Sequence, residues 1–163
     1  MTAPFASRIH LALAVLAAGI AQPASALSCL SPTVQTSFAA ADDSDATYVM
    51  GVGRLTPVPG QRIPAAPDNP NHRVGYSLEA TFEGHLATRN GFDHAYAGPV
   101  TVDVTCVAAW CGQIPVGAHL LFLERTAEGD RLTAGPCPRF ALPSTPRNRS
   151  DALSCLARGC VAP

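Results

Sequence analysis

The sequence predicts a small, mostly β fold: a closed or partly open barrel of short strands, held by disulfides, with a short helix at each end. Three observations carry that expectation. Apolar and polar residues alternate in several stretches, which is the period of a strand with one buried and one wet face. Glycines and prolines, 13 and 15 of 163 residues, recur where strands must bend or stop. All six cysteines lie beyond a first segment that reads as an export signal, and an even number in an oxidising compartment favours disulfides.

That first segment sets the compartment. Arg8 is its one basic side chain, and an apolar run from Ile9 to Ala21 follows, interrupted only by His10 and Gly19. Gln22 and Pro23 break the run before the small residues Ala24-Ser25-Ala26. This order describes a secretory signal peptide over 1–26. A membrane anchor is the alternative, but a spanning helix wants about 20 apolar residues. A lipoprotein with an acylated Cys29 is a second alternative, and Leu27 stands one place too close for it. Cleavage after Ala26 leaves 27–163 as one secreted or periplasmic domain, long enough for a single core. No later stretch has the length and apolarity of a membrane span.

Loss of Arg8 takes the formal net charge from −1 to −2. The basic residues are all arginine, with no lysine and no basic run. Phosphate backbones and anionic membrane surfaces call for a basic stripe, so neither nucleic acid nor a membrane is an expected partner.

The elements follow in chain order. Ser31-Pro32 is a helix-start signal, a capping hydroxyl followed by proline. Val34 and Phe38 then share one face, and Asp42-Asp43-Ser44-Asp45 ends the helix as an exposed turn. Thr47 to Leu55 reads as a strand in which Gly51 and Gly53 mark a bulge or sharp bend. Five prolines between Thr56 and His72 make that segment a long surface loop. Val74 to Phe82 alternates most clearly, with Val74, Tyr76, Leu78, Ala80 and Phe82 on the buried face. Gly84 permits a bend, and Asn90-Gly91 signals a turn. Val100 to Cys106 alternates in the same way. Leu120 to Leu123 and Leu132 to Ala134 read as a hairpin across Glu128-Gly129-Asp130. Beyond Pro136 the chain is loop-rich until a short helix from Ser150 to Arg158, with Ser150 as cap and Gly159 as stop. A β-sandwich is the alternative architecture.

With these elements placed, the chain resembles the netrin-like module of the tissue inhibitors of metalloproteinases. Three stretches carry the likeness: Leu27 to Pro32 leading into Gln35 to Phe38; Cys111-Gly112 followed by Leu120 to Leu123; and Ala127 to Leu132 running into Cys137. Together they span Leu27 to about Leu142 in the family's order. The resemblance implies a five-stranded OB-type barrel with short flanking helices. It also implies the pairing Cys29–Cys137, leaving Cys106–Cys111 and Cys155–Cys160 as local bonds. The cysteines by themselves allow fifteen pairings, and Cys29–Cys111 with Cys106–Cys137 is a competing set. In the inhibitors the mature chain begins with a cysteine whose amino nitrogen and carbonyl oxygen chelate the protease zinc. Here Leu27 stands at that place and the clamping cysteine comes two positions later.

Function is less legible. Cys106 and Cys111, like Cys155 and Cys160, have spacings that suit zinc as a rival to disulfides, and neither pair is the Cys-x-x-Cys of a thioredoxin-type site. His72, His85, His94 and His119 fall in no metal pattern. His72 and His94 read as solvated, and Asp93 and Asp103 have no evident partner in acid–base chemistry. There is no nucleophile elbow. No enzyme activity, cofactor or metal is expected. Trp110, the single tryptophan, reads first as a ring packed on a disulfide; the alternative is an exposed anchor in a binding loop. Asn148-Arg149-Ser150 is a glycosylation sequon. The expected function is a protein-binding module, protease-inhibitor-like in shape, whose partner is another exported or extracellular protein. Its expected binding edge is Leu27, Ser28, Cys29 and Leu30, the Trp110 loop, and the turn containing Gly135 and Pro136. The first alternative is a small ligand or saccharide bound on the barrel face, and the second an enzyme with an unrecognised site.

Overall fold

A computed structural model describes residues 29–160. The export segment 1–26, together with Leu27 and Ser28 of the expected edge, lies outside the described residues, as does 161–163. Helix α1 (Val34–Asp42) leads into β1 (Thr47–Pro57), and a long loop with one 3-10 turn (Pro70–His72) reaches β2 (Tyr76–Thr88). β3 (Gly91–Val104) follows, then a small hairpin of β4 (Cys106–Val107) and β5 (Trp110–Cys111). β6 (Ala118–Thr126), β7 (Gly129–Ala134), β8 (Ala141–Pro143) and helix α2 (Pro146–Arg158) complete the order.

Five strands close into a ring, β1-β2-β3-β7-β6 and back to β1, with β8 on the remaining edge of β6. All pairings are antiparallel except β3 with β7, which runs parallel from Val100↔Asp130 to Val104↔Ala134. This is the expected mostly β, five-stranded OB-type arrangement with two flanking helices. The ring is uneven, since β6 and β7 pair only over Glu124 to Thr126. β3 is paired with β2 along its whole length, but it gains β7 only from Val100 onward. Pro99, which lacks an N–H, stands at that transition, one residue before the β7 pairing begins.

Gly51 and Gly53 serve a different purpose from the expected bulge. The register of β1 runs unbroken against both β2 and β6; the one shift between β2 and β3 falls at Leu86/Ala87. Instead the Phe82 ring lies under β1. A Cβ at Gly53 would stand 2.6 Å from Phe82 Cε2 and 2.3 Å from the Glu83 carbonyl oxygen. Gly53 faces Gly84 directly, where a Cβ would meet the Val52 carbonyl oxygen at 2.3 Å. The glycines therefore let two backbones and one aromatic ring approach closely.

Two apolar cores result. Leu55, Phe82, Val100, Val102, Leu121 and Leu132 fill the ring interior. Val34, Met50, Leu120, Phe122, Leu142 and Ala152 form a second layer between the sheet and the helices. The continuous apolar run Leu120 to Leu123 is thus a strand buried on both faces, and alternate residues feed alternate cores. Each such side chain contributes about 1.5–3 kcal/mol on burial.

Several element boundaries move. Helix α1 is capped by Thr33, not Ser31, because Thr33 and Thr36 exchange side-chain-to-backbone hydrogen bonds in a capping box. Val34, Phe38 and Ala41 face the second core, and buried Ser37 donates its hydroxyl to the Arg139 carbonyl at 2.6 Å. Helix α2 begins at Pro146 under a Thr145 cap, not at Ser150, since Thr145 Oγ1 accepts from the Asn148 N–H. Gly159 does stop it, at φ 76°. Val74 is not a buried strand residue: it precedes β2 and is 70% exposed.

All six cysteines are bonded: Cys29–Cys137, Cys106–Cys111 and Cys155–Cys160. This is the set the resemblance implies, in place of the competing set or a zinc site. Among the described residues no helix is long and apolar enough to cross a membrane.

Candidate functional site

One end of the ring gathers most of the residues expected to bind. β3 leaves the sheet at Val104, and Thr105 keeps it attached by donating its N–H to the Ala134 carbonyl at 3.0 Å. The chain then turns through the β4–β5 hairpin, closed by the Cys106–Cys111 bond. Gly112 returns an N–H to the Thr105 carbonyl at 2.9 Å and lies hard against β7. A Cβ at Gly112 would come within 1.8 Å of the Ala134 carbonyl oxygen, so only glycine lets the hairpin sit there. The Cys111-Gly112 corner is therefore fixed against Ala134-Gly135. Pro136 and Cys137 follow directly, and Cys137 holds Cys29, whose sulfur lies 3.6 Å from the Pro136 carbonyl oxygen.

The structure thus brings together Cys29, Leu30, Gly135, Pro136 and the base of the Trp110 hairpin. Leu30 is 93% exposed. Trp110 does not pack as a buried ring on its disulfide: it is 56% exposed. The physical reason is the register. In so short a hairpin Trp110 pairs with Val107, itself exposed, and neither side chain faces the ring interior.

Trp110 instead forms one wall of a groove of about 480 Å3. The proline loop supplies another wall through Ile63, Pro64 and Pro67, and Arg73, Val74 and Tyr76 also line the groove. Sequence reasoning missed this wall, since proline density predicts a loop without saying where it lies. The signal that locates it is Gln61. Its amide pairs with the β2 backbone as a strand would: Oε1 accepts the Glu79 N–H at 2.6 Å, and Nε2 donates to the Glu79 carbonyl at 2.7 Å. The Val58 N–H shares that carbonyl at 2.9 Å. On the other side, the Cys106 sulfur lies 3.4 Å from the Val74 carbonyl oxygen. Gln61 thus ties the start of the proline loop to the sheet, while Thr105 and Gly112 tie the Trp110 hairpin.

No protein-family model, curated protein or solved structure matches this chain. The side chains of the edge and groove carry the functional reading alone.

The other polar groups singled out from sequence stay apart. His72 lies in the 3-10 turn, His85 on β2, His94 on β3 and His119 on β6. Asp93 accepts from Thr88 Oγ1 at 2.6 Å. Asp103 accepts from Ser77 Oγ at 2.6 Å and from Arg131 Nε and Nη2 at 2.9 and 2.7 Å. That hydrogen bond and charge push the Arg131 guanidinium up from its ordinary value. Among the described residues no three metal-ligating side chains converge. Asn148 of the sequon uses its side-chain amide to donate to the Pro143 carbonyl at 2.8 Å, bracing the start of α2. A second, smaller groove of about 320 Å3 lies between α1 and β1, lined by Phe38, Tyr48, Met50, Phe122 and Leu156.

Proposed function

We propose that this chain is an exported, netrin-like domain that binds another exported or extracellular protein through its disulfide-tied edge. The observation that carries the reading is Trp110, a largely exposed aromatic on a disulfide-closed hairpin that lines a groove of mixed apolar and polar character. Tryptophan at such a position supplies a large contact area with little ordering cost, the profile of a binding hot spot. The three disulfides fit an oxidising compartment. The closed strand order and the cysteine pairing agree with a netrin-like domain. Zinc chelation by the first residue is no part of this reading, because the clamping cysteine stands two positions late.

Binding of a saccharide on the barrel face has less support. On the outer face of β2, β3 and β7, Ser77 bonds Asp103, Thr101 bonds Glu79, and Arg131 bonds Asp103. Those polar groups already satisfy one another, and no aromatic platform stands among them.

A photo-crosslinking residue placed at position 110, and separately at exposed position 149 on α2, tests the proposal in the compartment the chain reaches. The expected result is a protein adduct from position 110 and none from 149, lost when reductant opens the hairpin. No adduct at 110, or equal adducts at both positions, would overturn it.

A further inference from the structure

We infer that the Trp110 groove takes an extended peptide segment in which a bulky aliphatic side chain is flanked by carboxylates. This rests on the protein-binding reading and specifies the chemistry of the bound segment. The volume, about 480 Å3, lies within the roughly 300–1,000 Å3 of ligand clefts. Ile63, Val74, Tyr76 and Trp110 give it apolar and aromatic walls suited to an aliphatic side chain.

Charge supplies the second half. The chain carries 12 acidic residues and 11 arginines, yet no aspartate or glutamate lines this groove, whereas Arg73 does, beside His72. Arg73 has no salt-bridge partner among the described residues; the three arginines that have one are Arg125, Arg131 and Arg147. The carboxylates nearest in sequence are Asp68, which is not in the lining, and Glu79, whose side chain accepts from Thr101 on the barrel face. A guanidinium with no acid of its own, beside the apolar side chains of Ile63, Val74 and Trp110, complements an anion joined to a hydrophobic group. Gln61 and the Thr105–Ala134 bond anchor the chain on either side of the groove, which lowers the ordering cost of binding.

Trp110 is the only tryptophan of the chain, so its emission reports this groove alone. Three short peptides in a Gly/Ser frame serve as probes, one with leucine between glutamates, one with leucine between lysines, and one with serine between glutamates. The glutamate-flanked leucine is expected to shift Trp110 emission saturably, and the other two are not. Arg73→Glu should weaken that binding by about tenfold or more, about 1.4 kcal/mol, while Arg73→Lys retains most of it. Position 73 is exposed, so neither variant threatens the fold. Equal binding of the lysine-flanked peptide, or indifference to Arg73→Glu, would overturn the inference. If position 110 crosslinks a protein but no glutamate-flanked peptide binds, this inference alone falls. If both fail, the protein-binding reading falls with it.

Discussion

Ala108 sits in the two-residue turn between Val107 and Trp110 with φ 50°, the one described residue other than glycine in the left-handed region. Such turns favour glycine or asparagine, because an L side chain there costs about 1–2 kcal/mol. A glycine at the same place frees the unfolded chain and gives back about 0.4–1 kcal/mol. The strain outweighs that loss, so Ala108→Gly is expected to stabilise the protein by about 0.5–1 kcal/mol, read as a higher urea midpoint with an unchanged slope. A second residue-scale effect concerns Tyr96. Its hydroxyl donates to Asp130 Oδ2 at 3.1 Å, and Asp130 is only 8% exposed. Burial first, then the hydrogen bond and charge of Asp130, push the Tyr96 pKa above its ordinary 10.0. Tyr48 moves the same way, through burial first and then the charge of Glu124. A folded value above the unfolded one means that the folded state holds these protons more tightly. The associated stability is whole below about pH 10 and is lost as pH rises through the raised folded values. Thermal unfolding followed into that alkaline range should show the decline, and Tyr96→Phe should make it shallower.

At the scale of elements, Gln61 does the work of a missing strand. Beyond Pro57, β1 no longer covers the edge of β2, and the Gln61 amide takes its place on the Glu79 backbone. Gln61→Leu is expected to leave the sheet intact, at a cost of about 0.5–1.5 kcal/mol. Hydrogen exchange should show the Glu79 amide losing protection, and proteolysis should find the loop between Pro59 and Asn71. Gln61 also marks the limit of what could be read from the chain. Strands with a clean period of two, such as Tyr76 to Phe82 and Val100 to Val104, are legible because one face is buried. The first half of β3, Gly91 to Gly98, is not, for its run of Ala, Gly, Asp and His has little strand propensity. That segment is held by its hairpin with β2, a tertiary cause. The helices were legible in kind, but their caps were not, since Thr33 and Thr145 compete with nearby serines that make equally good signals. The Trp110 hairpin was legible as a loop near a disulfide. Its exposure was not, because that depends on a register only the folded sheet defines.

At the scale of the whole molecule, β6 joins the two cores. Leu121 and Leu123 face the ring interior, while Leu120 and Phe122 face the helices, so neither core can open without disturbing the other. Cys29–Cys137 spans 108 residues and ties the segment before α1 to the turn after β7. In the chain-entropy model such a closure is worth about 4–5 kcal/mol, a large part of the stability of a domain this size. Replacing both cysteines by serine is expected to lower stability by about 3–5 kcal/mol, measured by urea unfolding. Trp110 emission in the native state should change little, since the hairpin keeps its own bond.

The connectivity also fixes an order of events. Cys29 emerges first from any channel that delivers the chain amino terminus first, yet its partner is the fourth cysteine, and the second and third bond to each other in between. An oxidant that joined thiols in order of arrival would link Cys29 to Cys106, which is wrong. The correct bond has to wait until β7 is in place beside β3, or be recovered by thiol exchange. Oxidative refolding of the reduced protein is therefore expected to reach the native form faster when Cys106 and Cys111 are both serine, as followed by thiol trapping. Where the first bond forms before β7 is in place, a disulfide isomerase sharing the compartment speeds the maturation of a domain wired this way.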